Sequence, residues 1–262
     1  MLANNIIPIV IPYLPASAQG RELEYAVAGW ERHFKNSHYI FIVGEGLQAI
    51  PAWIRNHPNV TLVESPRVPD IPGQYRQHLD YVSCLKKVRA LVPESIGFIM
   101  VADDCYAVND FDLGDVTFLK MLEPSLDGFS EKSGNGWRRD KAKTREALLK
   151  GGFPTRNFTT HLPQWYQWNL LEYLWTRYQM DRNSYVMEDL YYNTVYKDRL
   201  PFQLDKWRDN LKLGVYTKDP DPAELGKAFF HKIWITNSPA GWVPELYNRL
   251  ENYYNLPWYR NE

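Results

Sequence analysis

The chain has 262 residues, 45% of them hydrophobic and 23% charged, with a formal net charge of −1. That balance belongs to one sizeable globular core; it excludes a disordered chain and a polycation that grips nucleic acid or membrane through bulk charge. Two cysteines, Cys84 and Cys105, show no metal-type spacing and suggest no disulfide framework.

No apolar run approaches the roughly 18 residues that span a bilayer, so the expectation is a soluble, cytoplasmic protein that meets a membrane only through a surface or a partner. Ten Trp and 18 Tyr form an aromatic surplus. It either stacks on sugars or bases or fills a Trp-rich core.

The first half alternates strand and helix patterns. "IIPIVIPYLP" (6–15) is a β-branched first strand running out at Tyr13, and "GRELEYAVAGWERHFK" spaces Leu23, Val27, Trp30 and Phe34 helically. "HYIFIVGEG" is a second strand closed by glycines, "IPAWIRNHP" a short helix and "VTLVES" a third strand. "GQYRQHLDYVSCLKKVRALV" is a longer amphipathic helix with Leu79, Val82, Leu85 and Val88 on one side, and "IGFIMVADD" is the fourth strand. Such alternation predicts an α/β fold, a mainly parallel central sheet flanked by helices, with ligands bound beyond the carboxyl ends of its strands.

From 111 onward the pattern is more aromatic and less regular. A Gly-flanked charged stretch covers 130–152, an aromatic helix is predicted over "PQWYQWNLLEYLWTRYQ", and "SYVMEDLYYNTVYKDR" follows. "KAFFHKIWITNSPAGW" and a terminal helix near 243–254 close the chain. With no internal repeat or linker the reading is one domain over 1–262, a nucleotide-type half over 1–110 and an acceptor-type half over 111–262.

The fourth strand drives Phe98–Val101 into adjacent carboxylates, Asp103 and Asp104. Two such charges repel each other and resist burial, so they either sit in solvent or meet a cation. A parallel α/β start, "ADD", a later "MED" and the late histidine of "FFHK" together resemble the GT-A class of nucleotide-sugar glycosyltransferases. The resemblance implies a Rossmann-like first half and a Mn²⁺ or Mg²⁺ ion held by Asp104 with Asp103 against the donor diphosphate, a fitting partner for hard oxygen ligands. Ala102 stands where the class has its first Asp. It further implies that Asp189, or Glu188 beside it, deprotonates the acceptor hydroxyl of an inverting transfer, and that His231 adds a metal or diphosphate contact.

"YAVAGWERHFKNSHYIFIVGEGLQAIPAWIRNHPNVTLVES", the "ADD" segment, His161-Leu162-Pro163 and "ITNSPAGWVPELYNRLENYYNLPWY" are also similar to the Stealth family of sugar-phosphate transferases. That resemblance implies a sugar-1-phosphate moved onto a hydroxyl, with His161 near the acceptor or leaving group. The chain departs from it twice: the first conserved block is missing, and "SYVMED" places acids where an arginine is expected. A phosphate-handling site prefers the cation, so glycosyl transfer leads and sugar-phosphate transfer is second.

Each residue has a plain alternative. Asp103 and Asp104 also suit a turn, Glu188 and Asp189 a solvated helix start, His161 a loop, and His231 a core beside Phe229, Phe230 and Ile233. Arg76, at the start of the long helix, is placed by the GT-A resemblance against the donor diphosphate, or else is a surface charge. Tyr13 either contacts the donor base or packs in its loop. Trp165 and Trp168, three apart on the predicted helix, either platform a sugar or belong to the core. Eight cations against three anions over 131–156 give a local +5. That stretch is a mobile lid, a grip on an anionic acceptor such as a phosphorylated glycan, lipid-linked sugar or, least favoured, nucleic acid, or a solvated helix. A carbohydrate- or nucleic-acid-binding module without chemistry is the non-enzymatic alternative, and Ala102 is its best support.

Overall fold

A computed structural model describes residues 6–205 and 207–256. Its principal sheet has the order β3-β2-β1-β4-β7, from β1 (Ile7–Tyr13), β2 (His38–Gly44), β3 (Val60–Glu64), β4 (Gly97–Met100) and β7 (Gln164–Gln167). The first four run parallel, with Ile9 opposite Ile40 on one side and Ile99 on the other. β7 is antiparallel to β4.

β1 is central and yet contains Pro8 and Pro12, residues unable to donate to a ladder. The register resolves the conflict. Ile7 N–H donates toward β2, to Ser37 O at 3.0 Å, so the even positions of β1 face β4. β4 pairs only with Ile9 and Val10, and both prolines fall outside that pairing. The short contact leaves the carboxyl end of β1 open on its β4 side.

The period of two along the strands feeds separate cores. Val10, Phe41 and Val43 pack beneath α3 (Arg76–Leu91), α6 (Trp168–Tyr178) and α7 (Met187–Val195). Ile9, Ile11, Ile40 and Ile42 face α1 (Glu22–His33), where Leu23, Val27 and Trp30 are buried. A third cluster lies over a small sheet of β5 (Cys105–Ala107), β10 (Trp234–Asn237) and β9 (Lys212–Val215), in that order. Thus β5, from the first 110 residues, is completed by strands from the far end of the chain. Helices α8 (Pro222–His231) and α9 (Pro244–Tyr254) cover that sheet, the short α2 (Ala52–Arg55) and α4 (Leu113–Thr117) lie in connections, β6 (Lys120–Met121) pairs with β8 (Phe202–Gln203), and α5 (Gly136–Lys150) contacts α7.

The predicted aromatic helix over 163–179 begins later than expected. Gln164–Gln167 instead form β7, closing the open edge of β4, while the helix starts at Trp168. Within this stretch Gln164 and Tyr166 are buried and Trp165 and Gln167 half-buried, the alternation of a strand. Trp165 and Trp168 therefore share no helical face. Trp168 stacks on Phe98 at 4.0 Å between ring centroids, and Trp165 covers Gly97, where an added Cβ would lie 2.6 Å from its ring. Both rings belong to the sheet packing, so the sugar-platform reading is withdrawn.

Candidate active site

A cavity of about 760 Å³ opens at the carboxyl ends of β1, β2 and β4. Strand order reverses across β1, where β2 and β3 lie to one side and β4 to the other. Such a switch point leaves a crevice because the flanking connections leave in opposite directions. The approach of β1 and β2 there is close: a Cβ on Gly44 would lie 1.7 Å from the Tyr13 carbonyl oxygen. Of the residues singled out from sequence, Tyr13, Arg76, Asp103, Asp104, His161 and Glu188 line this one cavity. Asp189 and His231 do not.

Asp103 and Asp104 form the turn between β4 and β5. Val101 N–H donates to Val10 O at 3.1 Å before the turn, and Asn237 N–H donates to Asp104 O at 3.2 Å after it. The carboxylates are thereby fixed by both sheets. Oδ1 of Asp104 is buried and has no hydrogen-bond partner. Burial, then Asp104, then Glu22 push the Asp103 carboxyl up to about 8. Burial and Glu22 push Asp104 up to about 7, against the opposing pull of Lys212. Glu22, in the first turn of α1, accepts from Gln19 N–H and Asn237 Nδ2, each at 2.7 Å, and is itself raised by burial. This wall holds carboxylates that resist ionising together, the condition that an added cation relieves.

No group of three or more His, Cys, Asp and Glu side chains among the described residues is arranged as a metal cage. Two adjacent carboxylates, one with an unpartnered oxygen, still fit Mg²⁺ or Mn²⁺, because such ions are commonly held by one or two carboxylates completed by substrate phosphates and water.

The opposite chemistry comes from the loop before α3 and from its first turn. Arg67 pairs with Asp80 at 3.0 Å. Arg76 meets Asp70 only at 3.5 Å, and its Nε is buried without a partner. Tyr13 closes β1; burial, then Asp103, Glu24 and Glu22, push its hydroxyl up to about 12, so it serves as a neutral donor.

The two acids of "MED" separate at the start of α7. Glu188 lines the cavity and burial raises its carboxyl. Asp189 is fully buried: Oδ2 accepts from Lys141 Nζ at 2.6 Å and Oδ1 from Phe158 N–H at 2.6 Å. Lys141 also donates to Asn157 Oδ1 at 2.6 Å and Thr159 Oγ1 at 2.7 Å. Asp189 thus ties α5 to the 157–159 segment, while Glu188 lines the cavity.

His161 adopts a positive φ of 54°, a conformation that costs a non-glycine residue energy and gathers at functional sites. Its ring is exposed to the cavity; enclosure by the walls, with Lys212 and Lys141 beyond, pushes its imidazole down to about 4, leaving it neutral at pH 7. His231 lies elsewhere. The buried face of α8 uses Leu225, Ala228 and Phe229, a spacing that rotates Phe230 and His231 into solvent. It is neither packed in a core nor within the cavity lining.

The basic stretch forms α5, whose Asp140, Lys141, Ala142, Thr144 and Leu148 are buried. Arg139 binds the carbonyls of Ser133 and Gly134, Arg145 pairs with Asp127, and Lys143 donates to Gln74 at 2.7 Å. The helix has a buried face tied to its neighbours, and its Trp137 reaches the cavity.

Sequence reasoning missed Glu22, His78, Tyr81 and Gln164, which also line the cavity. Glu22 follows the first strand and His78 opens the long helix, both at carboxyl ends of strands where the rule that singled out Tyr13 and Arg76 applies equally. Tyr81 and Gln164 carry no local signal.

No family model and no curated protein matches the sequence. Among solved structures the chain is similar to an apo structure of the bifunctional glycosyltransferase WbbM, with a TM-score of 0.51 and 14% identity over 98% of this chain. The chain spans about half of that protein, 51% of its length. Among the described residues no helix is long and apolar enough to cross a membrane. At this identity the likeness is one of fold: the chain has an α/β fold with a central, mostly parallel sheet that it shares with part of a bifunctional glycosyltransferase.

Proposed function

We propose that the protein is a metal-dependent, GT-A-like glycosyltransferase that moves a sugar from a nucleotide-sugar donor to an acceptor hydroxyl. The observation that carries this reading is the Asp103–Asp104 pair at the switch-point cavity, with a buried, unpartnered Asp104 oxygen and carboxyls held up near neutrality. The fold likeness to WbbM supports it. Asp104 and Asp103 would hold Mn²⁺ or Mg²⁺, which when bound neutralises the charge of the departing nucleotide.

Glu188 is the general base of this proposal, because it faces the cavity from the first turn of α7 while Asp189 is engaged by Lys141. Burial raises its carboxyl, so it takes up a proton more readily than a solvated glutamate does. The acceptor oxygen forms its bond to the anomeric carbon as the bond from that carbon to the donor phosphate oxygen breaks. The electron pair leaves with the nucleoside diphosphate, and the acceptor proton passes to Glu188. Attack from the face opposite the leaving group inverts the anomeric carbon. Tyr13 would border the nucleoside, neutral His161 would donate to, or accept from, a substrate hydroxyl, and Arg76 stands on α3 rather than on the β4–β5 turn that carries the carboxylate pair.

Sugar-1-phosphate transfer is the second reading, favoured by the cations Arg67 and Arg76 on the same cavity. Incubation with UDP-sugars, Mn²⁺ and a panel of glycan acceptors separates the two. Release of UDP supports glycosyl transfer, UMP supports sugar-phosphate transfer, and release of neither with any donor refutes both.

A further inference from the structure

The long helix α3 begins inside the cavity without a cap. Its N-cap residue Tyr75 makes no capping bond through its side chain. The backbone N–H groups of Arg76 and Gln77 find no acceptor among the described residues, and both residues line the cavity. Unpaired N–H groups and the partial positive charge of a 16-residue helix favour an anion at that end.

His78 adds an independent pointer. It is only 7% exposed and lines the same cavity. Its Nδ1 is bonded to Asp140 Oδ2 at 2.5 Å. Asp140 is fixed in turn by Ser184 Oγ, which donates to Oδ1 at 2.8 Å, and Ser184 Oγ also accepts from Tyr75 N–H at 2.9 Å. Asp140 and Ser184 lie outside the cavity lining, so the ring nitrogen turned toward the cavity is Nε2, which has no protein partner among the described residues. A buried carboxylate on Nδ1 makes that nitrogen the donor and orients the ring, as in other carboxylate–histidine pairs, so Nε2 faces the cavity as the nitrogen that can accept the acidic P–OH proton of a phosphate monoester. Arg76, two residues before His78 in the same first turn, has its Nε buried without a hydrogen-bond partner. The same cavity is lined by Tyr75, Tyr81 and Asp80, the last paired with Arg67, and by Glu188 from α7, while Arg76 meets Asp70 at 3.5 Å.

We propose that His78 Nε2, the Arg76 guanidinium and the N–H groups of Arg76 and Gln77 form a metal-independent subsite for a phosphate ester carried by the acceptor. This rests on the reading of the cavity as a transferase site and deepens it to the acceptor class. The subsite is built on α3 and braced by α5, whereas the carboxylate pair sits on the β4–β5 turn. A substrate anchored by its phosphate at α3 presents its hydroxyls to the cavity that Glu188 also faces. Asp140 and Ser184 are positioning residues that act through His78.

The test is calorimetric titration in EDTA with glucose 6-phosphate, and with glucose as the neutral control. The wild-type protein binds the phosphate ester and not glucose. Loss of one charge-assisted contact in His78→Gln or Arg76→Gln weakens binding about tenfold or more, while Asp104→Asn leaves it intact. Saturating UDP with Mn²⁺ does not displace the ester. Because His78 is buried, its variant is first checked for a native melting transition; Arg76, half-buried at the helix start, gives the same reading without that risk. Equal binding of glucose, insensitivity to both substitutions, or displacement by UDP with Mn²⁺ overturns the proposal. Binding of the ester by a protein that ignores all nucleotides would instead keep the subsite and refute the donor reading.

Discussion

Replacing Asp189 by Asn tests whether this acid is part of the scaffold or of the chemistry. The carboxylate is fully buried against Lys141, itself fully buried, at 2.6 Å. The amide keeps the shape and can still accept from Phe158 N–H, but it leaves the lysine charge uncompensated beside Asn157 and Thr159. Removing one partner of a buried ion pair costs about 3–5 kcal/mol. For a domain of this size each kcal/mol lowers the midpoint by roughly 2–4 °C, so even the lower cost shifts it by about 6–12 °C. Thermal unfolding followed by circular dichroism at pH 7, with urea titration for the slope, measures this. The double variant Asp189→Asn/Lys141→Met removes both charges and regains part of the loss. An Asp189→Asn protein with a wild-type midpoint and no transferase activity would contradict the reasoning and return the base to Asp189.

Glu188→Gln, by contrast, lowers turnover at least a hundredfold with little change in donor affinity, consistent with the order of effect of a general base; steady-state kinetics check it, and a pure affinity loss removes Glu188 as base. The Asp103 and Asp104 carboxyls, held up to about 8 and about 7, contribute stability that is present below the unfolded carboxylate range and is lost as pH rises through those values. The metal-free wild-type protein therefore loses stability between pH 5 and pH 8 relative to the Asp103→Asn/Asp104→Asn variant, a difference read from paired melting curves, and Mn²⁺ reverses it most at the higher pH. His161, depressed to about 4, acts oppositely between pH 4 and 6.5, and the paired comparison cancels it. Gly44→Ala forces β1 and β2 apart beside Tyr13; it destabilises by about 1–3 kcal/mol and abolishes donor-induced stabilisation, whereas His231→Ala, in solvent on α8, changes neither.

The parallel core was legible because buried strands and amphipathic helices carry their own periods. "IPIVIPY", "HYIFIVG" and "VTLVE" became β1 to β3, and the Asp pair stood where an apolar strand meets a turn. Less legible was anything settled by distant partners. Nothing local marks Gln164–Gln167 as a strand, since the edge of β4 that recruits it lies more than sixty residues earlier. The charged stretch read as solvated or mobile because a sequence does not show that Lys141 has Asp189 waiting in the core. The acids of "MED" were adjacent in sequence and nearly interchangeable on paper; a helix turns neighbours about 100° apart, and only packing shows that one faces the cavity and the other Lys141.

The most direct measurement is the melting temperature of the wild-type protein and of Asp104→Asn with a panel of nucleotides and nucleotide sugars, each with and without Mn²⁺. Ligands that bind the native state raise the midpoint by mass action. The account predicts a rise with one nucleotide and its sugar conjugates that requires Mn²⁺ and disappears in Asp104→Asn. A rise that survives without metal or in the variant, or no rise with any nucleotide, would contradict it.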